Sequence, residues 1–398
     1  MKVLRIHASG LKLFQKDIII DFYAKQRVNA EKNEMLTNVF SRVYINNVIS
    51  MVGINASGKT VSLKVISFVF QMLNNKPLNS IRCNDILEGM NEDDEAIFDI
   101  YLFADNGKLI KLHTVIKAKN FTLEIKEELP IRFYISSEKM WTKSISSIRS
   151  KKDIFDFSKN ESTKERNDDE EFLLDDLSII VSHNKKLKDS LNIIDTMALT
   201  NINVLNKFSE FPESLVRFLD PSIEYLKNIK ADSNDCKDEL QLKFYDKKEI
   251  IAFSPFEMSK YLSSGTIKGI NIFIRAFRVL KEGGYIIIDE LENHFNKEIV
   301  STLIRFFMDS DINTSGAVLI FSTHYVELLD VFERNDNIFV TKNINGISIE
   351  NLSDLLKRND IKKSDLFQSG YLENTTPSYV SYINLKRAIM ETTRSNEE

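Results

Sequence analysis

The segment of this sequence best suited to chemistry is GINASGKT at residues 53–60, which satisfies the pattern G-x-x-x-x-G-K-[ST] in full. Glycines at these positions let the backbone turn its N–H groups towards phosphate oxygens. The lysine of the pattern reaches the β- and γ-phosphates, and the threonine hydroxyl coordinates Mg²⁺. The pattern therefore predicts a nucleotide site. Its expected contact residues are Gly53, Asn55, Ala56, Ser57, Gly58, Lys59 and Thr60.

The flanking residues predict the elements that must hold this loop. VISMVG at 48–53 has the apolar run of a buried strand, and the segment that begins at Lys59 places Leu63, Ile66 and Val69 at helical spacing. A phosphate loop belongs between a strand and a helix. This context favours a phosphate loop over a chance glycine-rich turn.

A second chemical feature is the strand-like segment YIIIDE, which ends in Asp289 and Glu290. Carboxylates at the tip of a buried strand can direct one side chain to a metal ion and the other to an attacking water. The pattern alone is weak, because many surface strands end in two acids. Together with the phosphate loop it predicts Asp289 as a metal ligand, beside Thr60, and Glu290 as the catalytic carboxylate.

Two further segments carry polar groups at predicted element ends. In YLSSGTIKG, Ser263, Ser264 and Gly265 stand at an expected helix N-terminus, whose N–H groups suit a γ-phosphate. An ordinary helix cap is the alternative, and the position of the segment between the other motifs favours the phosphate role. LIFSTH ends at His324, whose imidazole could hydrogen-bond a phosphate or the attacking water.

The order and spacing of these motifs resemble an ABC-type ATPase head of the kind found in SMC, RecF and overcoming-lysogenization-defect proteins. The resemblance implies catalytic roles for Lys59, Glu290 and His324, with ATP and Mg²⁺ as cofactors. It makes residues 263–266 the signature and residues 292–295 the D-loop. Heads of this family sandwich ATP head to tail, so a homodimer or higher oligomer with shared sites is expected.

A narrower resemblance comes from NASGKT, LSSGT, DELENHFN, FSTH and the C-terminal segment that begins at IFVTKNING. These segments are similar to stand-alone bacterial AAA-family ATPases of abortive-infection and anti-phage systems, whereas residues 136–235 carry little of the likeness. The resemblance implies a sensor or regulatory subunit that controls a separate nuclease or toxin-like effector. We expect no nuclease centre in the short stretch after His324.

Two departures from the family pattern leave alternatives open. No glutamine stands where the Q-loop should follow the accessory sheet, and only Ser136, Ser137 or Glu138 is available there. The signature has Ser-Ser-Gly-Thr, which favours the non-transporter branch. A RecF-like ATPase that binds DNA in repair or maintenance is the alternative function. A sensor that binds ATP but scarcely hydrolyses it is a third.

The predicted fold is α/β: an ABC-ATPase head, which is a P-loop NTPase sheet with an antiparallel β subdomain, carrying a helical insert. Four parts are expected: an N-terminal lobe at 1–135, a helical insert with an acidic loop at 136–236, a C-terminal lobe at 237–350 and a helical tail at 351–398. One large domain with insertions also fits the length. Within this scheme, Asn106-Gly107 predicts a hairpin turn. Helical spacing links Leu187, Leu191, Ile194 and Ala198, and also Leu215, Leu219, Ile223 and Leu226.

Composition and net charge limit the partners and the cellular location that we expect. The net charge of −5 gives no global basic field, so binding to nucleic acid is neither implied nor excluded. Two cysteines far apart in sequence predict neither a disulfide framework nor a metal-ligand pair. No apolar stretch approaches membrane-spanning length. We expect a soluble cytoplasmic protein that does not bind membranes.

Overall fold

The computed structural model describes residues 1–28, 35–119, 132–160, 162–166, 173–187, 190–230, 239–369, 372 and 379–394. Strands and helices are labelled in chain order, β1–β17 and α1–α9. The fold is mixed α/β, as the sequence predicts, and the described residues form a largely parallel six-stranded sheet, an antiparallel six-stranded sheet and two smaller antiparallel sheets.

The parallel sheet carries the ends of the predicted motif strands. Its strands, in spatial order, are β10 (Ile193–Asp195), β14 (Tyr285–Ile288), β15 (Val318–Thr323), β5 (Val48–Val52), β16 (Ile338–Asn343) and β17 (Ile347–Asn351). Neighbours are parallel except β16 and β17. Every residue of β5, β14 and β15 is buried, because helices cover both faces of a parallel sheet.

Alternate side chains of these strands enter two separate hydrophobic clusters. Ile49, Ile287 and Ile320 lie in register across β5, β15 and β14 and pack in the cluster that contains α1 (Lys59–Leu73). Their neighbours in sequence pack in the other cluster, with α5 (Ser264–Glu282) and α6 (Lys297–Met308). The period of two in a strand therefore places helices on both faces.

The antiparallel sheet packs beside α1. Its strands, in spatial order, are β2 (Ile18–Asp21), β1 (Lys2–Ser9), β6 (Ala96–Phe103), β7 (Lys108–Lys119), β8 (Arg132–Ser144) and β9 (Lys164–Glu165). The predicted hairpin is confirmed, since β6 and β7 pair antiparallel around Asn106-Gly107. Gly107 has a φ of 76°, which a residue with a side chain rarely adopts.

Smaller elements complete the described chain. The strands are β3 (Leu36–Phe40), β4 (Val43–Asn46), β11 (Ile223–Ile229), β12 (Glu239–Phe244) and β13 (Ile250–Ala252). The helices are α2 (Ile180–Leu187), α3 (Glu213–Leu219), α4 (Pro255–Met258), α7 (Leu352–Leu355), α8 (Lys363–Gln368) and α9 (Tyr379–Arg394). Within the described ranges, no helix is long and apolar enough to cross a bilayer.

The helical spacing read between residues 187 and 226 is wrong in two places. Helix α2 ends at Leu187, and Ile194 lies in β10 because this segment pairs with β14. Helix α3 ends at Leu219, just before Asp220-Pro221, and Ile223 and Leu226 belong to β11. A proline disfavours helical backbone at the residue before it, here Asp220, and the helix therefore ends at Leu219. The segment predicted as a helical insert thus mixes strands and helices, and its boundaries remain predictions.

The residues proposed for the Q-loop lie inside β8. Ser136 donates its hydroxyl proton to the Val115 carbonyl, and the Glu138 carboxylate accepts hydrogen bonds from Thr114, Ser178 and the Ile179 N–H. Burial raises the pKa of Glu138, while these hydrogen bonds oppose the rise. These contacts give Glu138 a place in the sheet core. Part of the predicted acidic loop, at 161 and 167–172, lies outside the described residues.

Tyr285 joins the two sheets. Its side chain is buried, contacts the rings of Phe70 and Phe22, and accepts a 2.8 Å hydrogen bond from the Val3 N–H of β1. Burial raises the pKa of the phenol, which stays protonated. A Tyr285→Phe change should lower the free energy of unfolding by about 1–3 kcal/mol, because it leaves the buried Val3 N–H unpaired.

A urea titration of the variant measures this loss. Tyr245→Phe is the matched control, since Tyr245 is exposed and the same change there should stay within about 0.5 kcal/mol of the parent. Equal stability of the Tyr285→Phe variant and the control would contradict the assigned bond.

Candidate active site

The phosphate loop joins β5 to α1 through two residues with left-handed backbone. Ala56 has a φ of 61° and Gly58, which precedes α1, has a φ of 99°. A Cβ on Gly58 would lie 2.5 Å from the Ile347 side chain, and one on Gly53 would lie 2.6 Å from the Thr341 carbonyl oxygen. Both glycines are therefore required by the close approach of β16 and β17 as well as by the turn.

Lys59 is folded over the loop. Its Nζ donates 2.9 Å hydrogen bonds to the carbonyl oxygens of Gly53 and Ile54. Burial lowers the pKa of this lysine, and the carboxylates of Glu292, Asp289 and Glu290 oppose that shift. The ammonium group is thus held by two backbone carbonyl groups of the loop itself.

Strand β16 supports the loop from the side. The hydroxyl groups of Ser57 and Thr341 lie 2.7 Å apart, and the Asn343 amide donates to the Ala56 carbonyl at 3.1 Å. The sequence reading missed both Thr341 and Asn343. The signal that could have found them is the change from apolar to polar side chains along IFVTKN.

Thr60 and Asp289 meet directly. The Thr60 hydroxyl donates a 2.8 Å hydrogen bond to Asp289 Oδ2. On the other side, Asp289 Oδ1 accepts from the hydroxyl of Ser322, a buried residue of β15. The two residues predicted as metal ligands are therefore brought together, although they are far apart in sequence.

Ser322 also holds the neighbouring acid. Its Oγ accepts a 2.8 Å hydrogen bond from the Glu290 N–H, so one hydroxyl connects Asp289 and Glu290. Glu290 has a φ of 49°, which costs a residue with a Cβ about 1–2 kcal/mol. Its carbonyl accepts from the Asn293 N–H at 2.9 Å and from Lys268 Nζ at 3.4 Å. Hydrogen bonds on both sides of the residue offset this cost.

His324 is paired with a buried carboxylate. Glu292 Oε1 accepts from the His324 backbone N–H at 2.8 Å and lies 2.9 Å from His324 Nδ1. The Glu292 side chain is 2% exposed, and its Oε2 has no hydrogen-bond partner in the part of the chain described. When Nδ1 carries the proton, Glu292 holds that tautomer and leaves Nε2 available. The sequence reading placed Glu292 in a loop without this role.

The signature segment caps α5. The Ser263 Oγ accepts from the Thr266 N–H at 3.0 Å, as a helix cap requires. Ser264 Oγ lies 3.5 Å from His294 Nδ1, and a Cβ on Gly265 would lie 2.7 Å from the His294 carbonyl oxygen. Among the described residues, no hydrogen bond links residues 263–265 to the phosphate loop. The signature therefore contacts His294 of its own chain.

A family model matches the part of the chain that contains these residues. The model described as "AAA domain, putative AbiEii toxin, Type IV TA system" matches residues 48–330, which include the phosphate loop, the acidic pair and His324. The chain belongs to this family. Its AAA domain agrees with the resemblance to AAA-family ATPases of abortive-infection systems that the motifs indicate.

Two other comparisons concern whole chains. The crystal structure of the SmcHead bound to the C-winged helix domain of ScpA is similar to this AAA-domain chain, with 13% sequence identity and a TM-score of 0.48. The match covers 90% of this chain and 100% of that chain. No curated protein matches the sequence.

Replacement of Ser322 tests whether its hydroxyl group organises the acidic pair. A Ser322→Ala change removes the donor to Asp289 and the acceptor of the Glu290 N–H, so the ATPase rate should fall about 10–100-fold, the usual effect of losing such a supporting hydrogen bond. Nucleotide affinity should change much less, because Lys59 and the loop N–H groups remain. Steady-state phosphate release and binding of a fluorescent ATP analogue measure the two quantities.

Ser301→Ala is the matched control, since Ser301 is also buried but lies on α6. A Ser322→Ala enzyme that matches this control in rate would show that the hydroxyl does not organise the acidic pair.

Proposed function

We propose that this chain binds ATP and hydrolyses it in sites that two copies of the chain complete together. The observation that carries the proposal is the hydrogen-bonded series Thr60, Asp289, Ser322 and Glu290. This series joins the end of the phosphate loop to Asp289, which we propose as a metal ligand with Thr60, and to the backbone of Glu290, which we propose as the water-activating residue. In this arrangement the loop N–H groups and Lys59 bind the phosphates.

Thr60 and Asp289 fit a magnesium ion. Both supply hard oxygen atoms, and these atoms lie 2.8 Å apart, which suits adjacent ligands at the 2.0–2.1 Å distances that Mg²⁺ prefers. When bound with the nucleotide, Mg²⁺ neutralises phosphate charge. Few protein ligands are needed, because substrate phosphates usually complete such sites.

Glu290 is the residue we propose to activate water. Its carboxylate accepts a proton from the water that attacks the γ-phosphate, and the products are ADP and phosphate. His324, oriented by Glu292, offers Nε2 to the γ-phosphate or to that water. The backbone hydrogen bonds of Glu290 keep its side chain at the end of β14, beside Asp289.

The second copy supplies the signature. Ser264 and Gly265 begin a long helix, α5, whose N-terminal N–H groups and dipole attract phosphate. These residues contact residue 294 and have no hydrogen bond to their own phosphate loop among the described residues. A head-to-tail dimer would place them on the nucleotide held by the partner, so each site needs both chains.

For the cellular role, we propose a sensor or regulatory subunit of an anti-phage system. The matching family carries a putative abortive-infection toxin and a type IV toxin–antitoxin system in its description. ATP-dependent dimerisation would control a separate nuclease or toxin-like effector. The four predicted parts, with boundaries at 135, 236 and 350, remain our proposal for its organisation. DNA binding that requires ATP and weakens with salt would favour the DNA-maintenance alternative instead.

The hydrolytic role of Glu290 is tested by Glu290→Gln. The variant keeps the size and backbone contacts of the residue but cannot accept the proton, so the hydrolysis rate should fall about 100-fold or more. ATP binding should persist, and the ATP-bound dimer should accumulate because the reaction that opens it is blocked. Phosphate release and light scattering with ATP measure these outcomes.

Lys59→Ala serves as the contrasting variant, because it should weaken ATP binding itself. Equal hydrolysis rates in the wild type and the Glu290→Gln variant would contradict the proposed mechanism.

Shared sites predict complementation between two inactive variants. A Ser264→Arg chain has an intact phosphate loop, and a Lys59→Ala chain has an intact signature. Mixing them should restore part of the ATPase activity, since about half the dimers are mixed and each mixed dimer contains one complete site. An equimolar mixture no more active than the separate variants would contradict a site formed between chains.

A further inference from the structure

A lysine of α5, the helix that begins at the signature, contacts Glu290 of the same chain. Lys268 lies on α5, one turn after Ser264, and is buried. Its Nζ donates to the Glu290 carbonyl at 3.4 Å and lies 6.0 Å from the centre of the Phe295 ring. Burial lowers the pKa of Lys268, and the carboxylates of Glu290, Glu292 and Asp289 oppose that shift. The motif reading gave this lysine no role.

The loop that Lys268 contacts is strained at two places. Glu290 has a φ of 49° and His294 a φ of 69°, both in the left-handed region that residues with a Cβ avoid. Helix α5 touches both residues, since Lys268 binds the Glu290 carbonyl while Ser264 and Gly265 lie against His294. Strained backbone persists only where its surroundings hold it. The first two turns of α5 thus form part of what holds residues 290–294.

Lys268 is the charged part of this contact. A buried ammonium group that serves only stability could be replaced by an apolar side chain with little functional effect. Here the ammonium donates to the carbonyl of the very residue whose carboxylate must be aimed. Loss of that donor leaves the Glu290 carbonyl with one hydrogen bond, from the Asn293 N–H, while the Ser322 bond to the Glu290 N–H stays in place.

We propose that Lys268 is a positioning residue that couples the signature helix to Glu290. The inference rests on the proposed hydrolytic function. Since Ser264 would bind the nucleotide of the partner, a displacement of α5 by that nucleotide reaches Glu290 at the other site of the dimer through Lys268. Occupancy of one site then alters the catalytic carboxylate of the second site.

The test compares Lys268→Met with Lys268→Arg in the full chain, using Mg-ATP as the probe. Lys268→Met should lower kcat about tenfold or more while KM and the affinity for a fluorescent ATP analogue stay within about threefold. Lys268→Arg should restore kcat to within about threefold of the wild type, because a guanidinium can donate to the same carbonyl. Arg278→Met, on the exposed side of the same helix, controls for the loss of a cation and should match the wild type.

Each of the following outcomes would contradict the proposed coupling of α5 to Glu290 through Lys268. A folded Lys268→Met enzyme with wild-type kcat, or one that is impaired only in KM, would exclude a positioning role. Failure of Lys268→Arg to restore the rate, with thermal unfolding unchanged, would exclude donation to the carbonyl. The Glu290→Gln variant, measured alongside, separates the two proposals. If its rate equals that of the wild type, the hydrolytic proposal and this inference both fail; if only Lys268→Met equals the wild type, the inference alone fails.

Discussion

Parallel pairing of β5, β14 and β15 is the constraint on which the candidate site depends. Because the three strands run in one direction, the residues that follow them all emerge at the same edge of the sheet. Gly53, Asp289 and His324 each stand directly after one of these strands. Segments separated by more than two hundred residues thus meet without any long loop crossing the site.

The position of these residues at the sheet edge does not by itself orient their side chains. The buried Ser322 helps to orient the acidic pair by hydrogen bonding. Ser322 is the penultimate residue of β15, so its position is as rigid as the sheet. From there its hydroxyl binds the carboxylate of Asp289 and the N–H of Glu290. The strained backbone at Glu290 is tolerated because rigid neighbouring residues form hydrogen bonds with its N–H and carbonyl groups. Glu292 acts similarly on His324, with a carboxylate in place of a hydroxyl.

The sequence predicts the parts of the site that follow general chemical patterns. The phosphate loop, the acidic pair and the helix N-terminus at residues 263–265 are recognisable because glycine, carboxylate and hydroxyl groups are needed at set places along a strand or helix. The roles of Ser322, Lys268 and Thr341, and the pairing of Glu292 with His324, were not predicted because they arise from contacts between distant segments. The helical spacing read at 187–198 and 215–226 failed for a related reason. In the first segment, strand pairing with β14 determines the structure in place of the helical spacing. In the second, the helix ends before Asp220-Pro221.

The position of the signature carries a consequence for how two sites could influence each other. Within one chain, α5 begins against His294, and Thr60 at the end of the phosphate loop binds Asp289. A ligand at the start of α5 and a ligand in the phosphate loop would therefore act on the same strained turn, the first next to His294 and the second next to Asp289. Such a turn has few stable arrangements, because its left-handed residues need every surrounding contact. Two ligands that favour the same arrangement would bind cooperatively through this element, and linkage requires each to strengthen the other by an equal factor.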